Sequence, residues 1–464
     1  MSWAIVLLLG LLAATPAGAV EPAPEIASGR LPSFFIETII IEDSIRFSPD
    51  LILAESRLVE GQEYSERELR DALFRIVRLP LILDAEFSLR RGTQRGRFQL
   101  VIQVDEARHW FFGLEGSATR WSRPVTLSGI SAENVVQSFS ILAGRRFSIG
   151  RYGVFFAAAG GQDGSLNLGY SHNNLLGRRI LLQISGAYSR CGQAQVSPPL
   201  GDEGDQACRA DIFDLGLDPT FSAWEAGEGT ARARLTLGVP LKGNQSIRFA
   251  GSFLDTEGGF RRAVYQEDPA QLDFLRDRTD WELAASWMFD SRDDPLFTSE
   301  GQRWEAGLQV RSLKAEVERW DFENFTSFKT DHASLEVGAR LAGSKYWPLG
   351  RKDAIWGRLD AFLGRTDFSG VLTEDDRILE GQADVWRGGA AFGYGRFLHR
   401  VRTDEKWQEL RWESEIEALY STTSPSFDLP ENPLAGFRVS SGLTWRSSWG
   451  VFGLELIYQD LGGD

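Results

Sequence analysis

The chain is poor in the residues that cross-link small exported domains or build metal centres: its 464 residues include 2 Cys, 2 Met and 4 His. Disulfides are not what holds it together, and at this length a sizeable core or sheet system can form without them. His109, His172, His332 and His399 lie far apart, and Cys191 and Cys208 are confined to one short stretch, so no group of neighbours has zinc-ligand spacing. No metal or other cofactor is expected. Cationic excess is also missing, with 50 Lys and Arg against 65 Asp and Glu and a formal net charge of -15. Phosphate backbones need clustered cations, so nucleic acid is not an expected partner. Beyond Val20 no uncharged run reaches the ~18 residues of a spanning helix. Any passage through a membrane must be made by strands.

At the N-terminus, Ser2 to Val20 carry no charge, and the apolar run Ala4 to Ala14 ends in Thr15, Pro16, Ala17, Gly18 and Ala19. A small-x-small site after a short apolar run reads as a cleavable signal peptide over 1–19, with a retained anchor helix as the alternative. Residues 20–31 read as a linker, and no Cys follows the site to suggest a lipoprotein.

From Phe34 to Glu106 the pattern predicts strand, helix, helix, strand, strand. Phe34 to Ile41 is β-branched and aromatic, and Ser48, Pro49 and Asp50 open a helix through Leu58 with proline at its first position. Ser65 and Glu68 form a capping box for a second helix. Its Leu69, Ala72, Leu73, Ile76 and Val77 make one apolar stripe that must pack on a sheet. Segments 82–91 and 97–104 supply two strands around the turn Gly92 to Gly96. The string Leu58 to Ser65 with Gly61 and Tyr64, then Leu69, Leu73 and Val101 to Glu106, resembles a POTRA domain, here over 32–107. That resemblance implies a periplasmic module that precedes outer-membrane barrels and binds extended client chains. A generic α+β domain is the alternative on these residues alone.

From about His109 to the end the signal is alternation. Trp304, Ala306, Leu308 and Val310 lie on one face of a strand; Arg303, Glu305, Gly307, Gln309 and Arg311 lie on the other. The same split recurs in Ala231 to Leu241, Trp281 to Phe289, Leu335 to Leu341, Val439 to Trp445 and Phe452 to Tyr458. Periodicity alone also fits a soluble sandwich. The export signal, the aromatics near strand ends and the Arg, Glu and Gly of the inner face favour a transmembrane barrel over 108–464. At ~22 residues per strand and connection, about sixteen antiparallel strands are expected, within the range of such barrels. The fold class is thus an all-β transmembrane barrel behind a small α+β domain.

Three further strings resemble the BamA/TamA superfamily of outer-membrane insertases and translocases, which includes the two-partner secretion pores. Asn167 to Gly177 looks like the family's second strand and its Asn-Leu-Leu-Gly turn, and Asp290 to Gly301 is similar to its mid-barrel turn. Asp384, Val385, Trp386, Arg387, Gly388 and Gly389 stand where the family carries a Val-Arg-Gly-Phe/Tyr motif, with Trp386 and Gly389 as departures. The resemblance implies that Arg387 and Gly388 sit on an external loop, after the acidic stretch Thr373 to Arg377, that folds back into the lumen. A buried guanidinium needs an acidic partner. Glu413, Glu415 and Glu417 share one strand face, and Glu415 or Glu417 is the expected partner; an ordinary loop arginine is the alternative. Two features depart from the family: the last strand, Gly450 to Tyr458, resembles its penultimate one, and 109–150 is an extra segment that could contribute to the barrel seam.

Cys191 and Cys208 bracket a turn-rich acidic stretch, Ser197 to Asp205. In an exported protein such a pair reads as a disulfide stapling an external loop, with redox chemistry the alternative. The expected function is assembly or translocation: the POTRA-like domain captures an unfolded or extended polypeptide and the barrel inserts or exports it. Outer-membrane lipid and periplasmic accessory proteins are the other expected partners, with the barrel in a Gram-negative outer membrane and the POTRA-like domain in the periplasm. The competing function is a passive pore or surface-display protein. An enzyme is disfavoured because no Gly-x-Ser-x-Gly and no acid-base cluster is present.

Overall fold

In the computed structural model the described residues are 33–462, apart from 45–47, 80–81, 122–125, 128–129, 132–134, 151, 161–164, 176, 179, 190–228, 263–270, 322–325, 351, 373–377, 404–405 and 422–433. The signal and linker readings, the Cys191–Cys208 pair and the acidic stretch 373–377 lie outside them.

The N-terminal part contains β1 (Ser33–Glu42), α1 (Pro49–Ser56), β2 (Gln62–Ser65), α2 (Glu66–Val77), β3 (Ile82–Arg91) and β4 (Arg97–Glu106). Its sheet order is β2-β1-β4-β3, with β1 and β4 parallel. Ser65 caps α2 reciprocally: its Oγ accepts from the Glu68 amide at 3.3 Å, and the Glu68 carboxylate accepts from the Ser65 amide at 2.8 Å. The stripe of α2 is buried at Leu69, Ala72, Ile76 and Val77, with Leu73 partly buried, and packs with Ile36, Ile52, Leu100 and Ile102. Helix α1 stops at Ser56, two residues before the expected end, because Arg57 turns into the left-handed region at φ 59°. The short strand β2 is an addition to the expected pattern. Four residues are too few to show a period of two.

The rest builds a closed barrel from β5 (Trp110–Trp121), β8 (Val135–Ile149), β9 (Gly153–Gly160), β10 (Ser165–Leu175), β11 (Ile180–Ser189), β12 (Gly229–Pro240), β13 (Gln245–Arg262), β14 (Gln271–Asp290), β15 (Gly301–Asp321), β16 (Thr326–Pro348), β17 (Asp353–Leu372), β18 (Ile378–Thr403), β19 (Lys406–Ser421), β20 (Leu434–Ser447) and β21 (Gly450–Gly462). Two short strands, β6 (Thr126–Leu127) and β7 (Ile130–Ser131), pair with each other outside it. Leu283, Leu308, Val337, Leu363, Phe392, Ile416, Leu443 and Leu454 all point outward and are exposed. Inward positions carry the charged and small residues, as the alternation predicts.

Among the described residues the wall has fifteen strands, against about sixteen expected, and the odd number has a geometric consequence. When sequential neighbours are all antiparallel, the first and fifteenth strands run the same way. The seam between β5 and β21 is therefore parallel, in register from Phe112 opposite Gly450 to Trp121 opposite Gln459. The 109–150 segment supplies β5 and β8, so the seam does draw on it. Gly450 sits at φ 155°, and a Cβ added there would meet the Phe112 carbonyl oxygen at 1.7 Å. Gly450→Ala should weaken the seam by about 1–3 kcal/mol. Heat-modifiable electrophoresis should then show the compact form lost at a lower temperature than in wild type.

Candidate functional site

One end of the barrel carries the short links, and it is where the N-terminal part enters and docks. Arg57 Nη1 donates to the carbonyl oxygens of Leu241 (3.0 Å) and Gly243 (2.7 Å) in the β12–β13 turn. Arg75 Nη1 donates to Asn244 Oδ1 at 3.0 Å and its Nη2 to the Ser56 carbonyl at 2.7 Å. Asn173, at the β10 end, donates to Glu55 at 3.3 Å. Arg78 reaches the stem of the β14–β15 loop, lying 3.6 Å from Asp290 and donating to the Arg292 carbonyl at 3.3 Å. Burial lowers Arg75 to about 10, with Arg57 adding repulsion, and burial likewise lowers Arg78, partly offset by Asp290. Both remain guanidinium cations at neutral pH.

That β14–β15 loop, residues 291–300, reaches into the lumen and contacts the inner face of β18, β19 and β20. It is built around two adjacent carboxylates. Asp293 Oδ1 accepts from the amides of Ser299 (2.9 Å) and Glu300 (3.2 Å), which turns the chain back on itself. Asp294 Oδ1 accepts from the amides of Leu296 (2.8 Å) and Phe297 (2.9 Å), and the Thr298 hydroxyl donates to the Asp294 carbonyl at 2.6 Å. The loop tip thus presents Phe297, only 2% exposed, to the interior.

The tip is received five strands further round the wall. Arg446 of β20 donates through Nη1 to Asp294 Oδ1 at 2.9 Å, and through Nη2 to both Asp294 and Glu409 Oε2, the latter at 2.6 Å. Glu409 is fully buried and also accepts from Arg400 Nε at 2.7 Å. Arg411, 1% exposed, donates to the Thr298 carbonyl at 2.9 Å. The Phe297 ring meets Phe397 edge-to-face at 5.8 Å and lies 4.7 Å from the Arg446 guanidinium. Arg446 and Arg400 are matched by Asp294 and Glu409, and Arg411 lies 3.0 Å from Glu413, as buried charges require. Burial raises the Asp294 carboxyl, but the Arg446 guanidinium and its hydrogen bonds outweigh that and hold it below its ordinary value. Asp293 has no such cation: burial, only partly offset by the Ser299 and Glu300 amides, pushes it up to about 6.

Higher in the lumen lie the residues singled out in the sequence. Arg387 is not on a loop but inside β18, and its described ion pair is with Glu336 of β16, across the Phe362 ring at 5.3 Å. Gly388 faces outward between Ala361 and Tyr420. Glu415 and Glu417 belong instead to Arg358 of β17, at 2.8 and 3.0 Å, and Glu415 also accepts from Trp356 Nε1 at 2.8 Å. Both corrections have one cause. Arg387 stands four residues from Ala391, the neighbour of Glu417, or about 13 Å along the strand. Ala391 and Gly393 leave room between, so Arg358 and Trp356 reach over them to the two glutamates. A double-mutant cycle should give a coupling of about 0.5–3 kcal/mol between Arg387→Ala and Glu336→Ala in barrel stability, and additivity with Glu415→Ala or Glu417→Ala.

Arg446, Glu409, Arg411 and Phe297 were not anticipated as functional. Alternation puts Arg446, Glu409 and Arg411 on the inner face, and Asp294 and Phe297 lie in the recognised turn string. Which wall that turn would reach has no sequence signal. Among the described residues no cluster of His, Cys, Asp and Glu could hold a metal ion.

Neither a family model nor a curated protein matches the chain. Solved structures do. BamA from Haemophilus ducreyi lacking POTRA domains 1-3 is 13% identical, with 93% of this chain and 81% of that chain covered and a TM-score of 0.38. CdiB from Escherichia coli is 12% identical, with coverages of 92% and 87% and a TM-score of 0.31. The ferric citrate transporter FecA is 11% identical, with coverages of 77% and 59% and a TM-score of 0.31.

Proposed function

We propose that this chain is an outer-membrane assembly or translocation factor of the BamA/TamA type, whose periplasmic N-terminal domain receives an extended polypeptide and whose barrel inserts or exports it. The observation that carries the proposal is mechanical. Arg78, at the C-terminal cap of α2, grips the stem of the same loop whose tip is held across the lumen by the Asp294–Arg446 pair. A passive pore has no use for a closing loop held by a separate folded domain. The ten-residue strand β3 is the receiving edge: among the described residues it pairs with no strand but β4, and a client strand would add along its other side. Client binding at that edge would load the domain, and the docking arginines transmit the load to the loop stem.

The test is a census of outer-membrane and secreted proteins in cells whose only copy carries Arg57→Ala, Arg75→Ala and Arg78→Ala together. A subset of proteins should fall at least several-fold while the mutated barrel itself remains in the membrane. A census identical to wild type would overturn the proposal in favour of a passive pore.

A further inference from the structure

The foot of the parallel seam carries a feature that neither the plug nor the docking uses. On the outward face, at the end where the short links lie, Trp110, Phe112 and Trp449 are all exposed. They are contiguous: Trp110 and Phe112 are successive outward residues of β5, and Phe112 lies 6.4 Å from Trp449 between ring centroids. At each end of this aromatic row stands an arginine. Arg108 lies over the Trp449 ring at 3.9 Å and Arg145 over the Trp110 ring at 5.3 Å. Both guanidinium groups are exposed, and neither has an acidic partner among the described residues. Elsewhere at this end, Arg78, Arg292, Arg400 and Arg446 all do.

We propose that Arg108 and Arg145 form a site for anionic phospholipid at the foot of the β5–β21 seam, each guanidinium offering a position for a lipid phosphate. This rests on the barrel's spanning a membrane. Exposed tryptophans at a barrel rim sit at headgroup depth, with rings toward the acyl chains and polar edges toward water. Stacking fixes each guanidinium plane against a ring and leaves its N–H fork free, and that fork matches two phosphate oxygens. The backbone holds the two halves of the site together: the Arg108 amide donates to the Ser448 carbonyl at 3.2 Å and the Phe112 amide to the Trp449 carbonyl at 2.8 Å. The row spans both sides of the seam, so it exists only while β5 and β21 are paired. A bound headgroup would therefore favour the closed seam.

The experiment uses the purified full chain with a mixture of phosphatidylglycerol and phosphatidylcholine, retained lipid being counted by native mass spectrometry. One phosphatidylglycerol should be kept in preference to phosphatidylcholine, and inorganic phosphate should not displace it. Arg108→Gln with Arg145→Gln should reduce that retention roughly tenfold. The milder Arg108→Lys with Arg145→Lys, which keeps the charge and loses the fork, should fall in between. Undiminished retention in either double variant, equal retention of phosphatidylcholine, or displacement by free phosphate would overturn the site. Flotation with pure phosphatidylcholine vesicles reads the barrel separately: a chain that floats yet shows no preference loses the lipid site only, whereas one that does not float loses the membrane reading itself.

Discussion

Replacing Arg446 by alanine should open the lumen. In planar bilayers the wild-type chain is expected to show low conductance, because residues 291–300 cross the barrel and end in a buried knot. Arg446 touches both Asp294 of the loop and Glu409 of the wall. Removing it leaves the buried Asp294 carboxylate without its cation while Glu409 keeps Arg400, and losing one partner of a buried pair costs about 3–5 kcal/mol. The loop can escape that cost by leaving the lumen and rehydrating Asp294, whereas the barrel keeps its backbone hydrogen bonds all round the wall. The loop therefore gives way first. Conductance should rise by an order of magnitude or more with heat-modifiability unchanged. Arg411→Ala should have a smaller effect of the same sign, since it removes one bond to the Thr298 carbonyl and its carboxylate partner, Glu413 at 3.0 Å, belongs to the wall and not to the loop. An Arg446→Ala channel as quiet as wild type would show that the loop is not the closing element.

Closure should also depend on pH with two limbs of opposite sign. In the docked loop Asp293 titrates at about 6, raised first by burial, while in a released loop it returns to its ordinary value of 3.8. A raised carboxyl means that the docked form binds the proton more tightly. Its contribution to closure is therefore fully present below pH 3.8 and is lost as the pH rises through about 6. At roughly 1.4 kcal/mol per pH unit the whole step amounts to about 3 kcal/mol. Asp294 works in reverse: its docked value is lowered, so its pairing with Arg446 is present above 3.8 and fails as the pH falls below that. Conductance should pass through a minimum near pH 4, where the Asp293 contribution is still nearly complete and the Asp294 pairing already is, and rise on either side. Asp293→Asn keeps an oxygen for the Ser299 and Glu300 amides and removes the charge, so it should flatten the neutral limb and leave the acid limb. A neutral limb that survives Asp293→Asn would assign it to another group.

The sequence by itself determined what depends on local periodicity. Alternation of Trp304, Ala306, Leu308 and Val310 with charged neighbours marked barrel strands, because a period of two leaves one face for lipid and one for the lumen whatever the neighbouring strand is. The Ser65–Glu68 box placed the start of α2 for the same local reason. Whole-fold parity was not legible: one strand more or fewer changes no local pattern, yet fifteen instead of sixteen makes the seam parallel. Partner choice was equally hidden. Arg387 and the glutamates at 415 and 417 have the right charges for one another, but register and the small side chains of Ala391 and Gly393 give those glutamates to Arg358. Asp294 and Arg446 are 152 residues apart and meet only because the loop crosses the closed barrel. Such contacts are set by where the chain returns in space, and only the tertiary structure decides that.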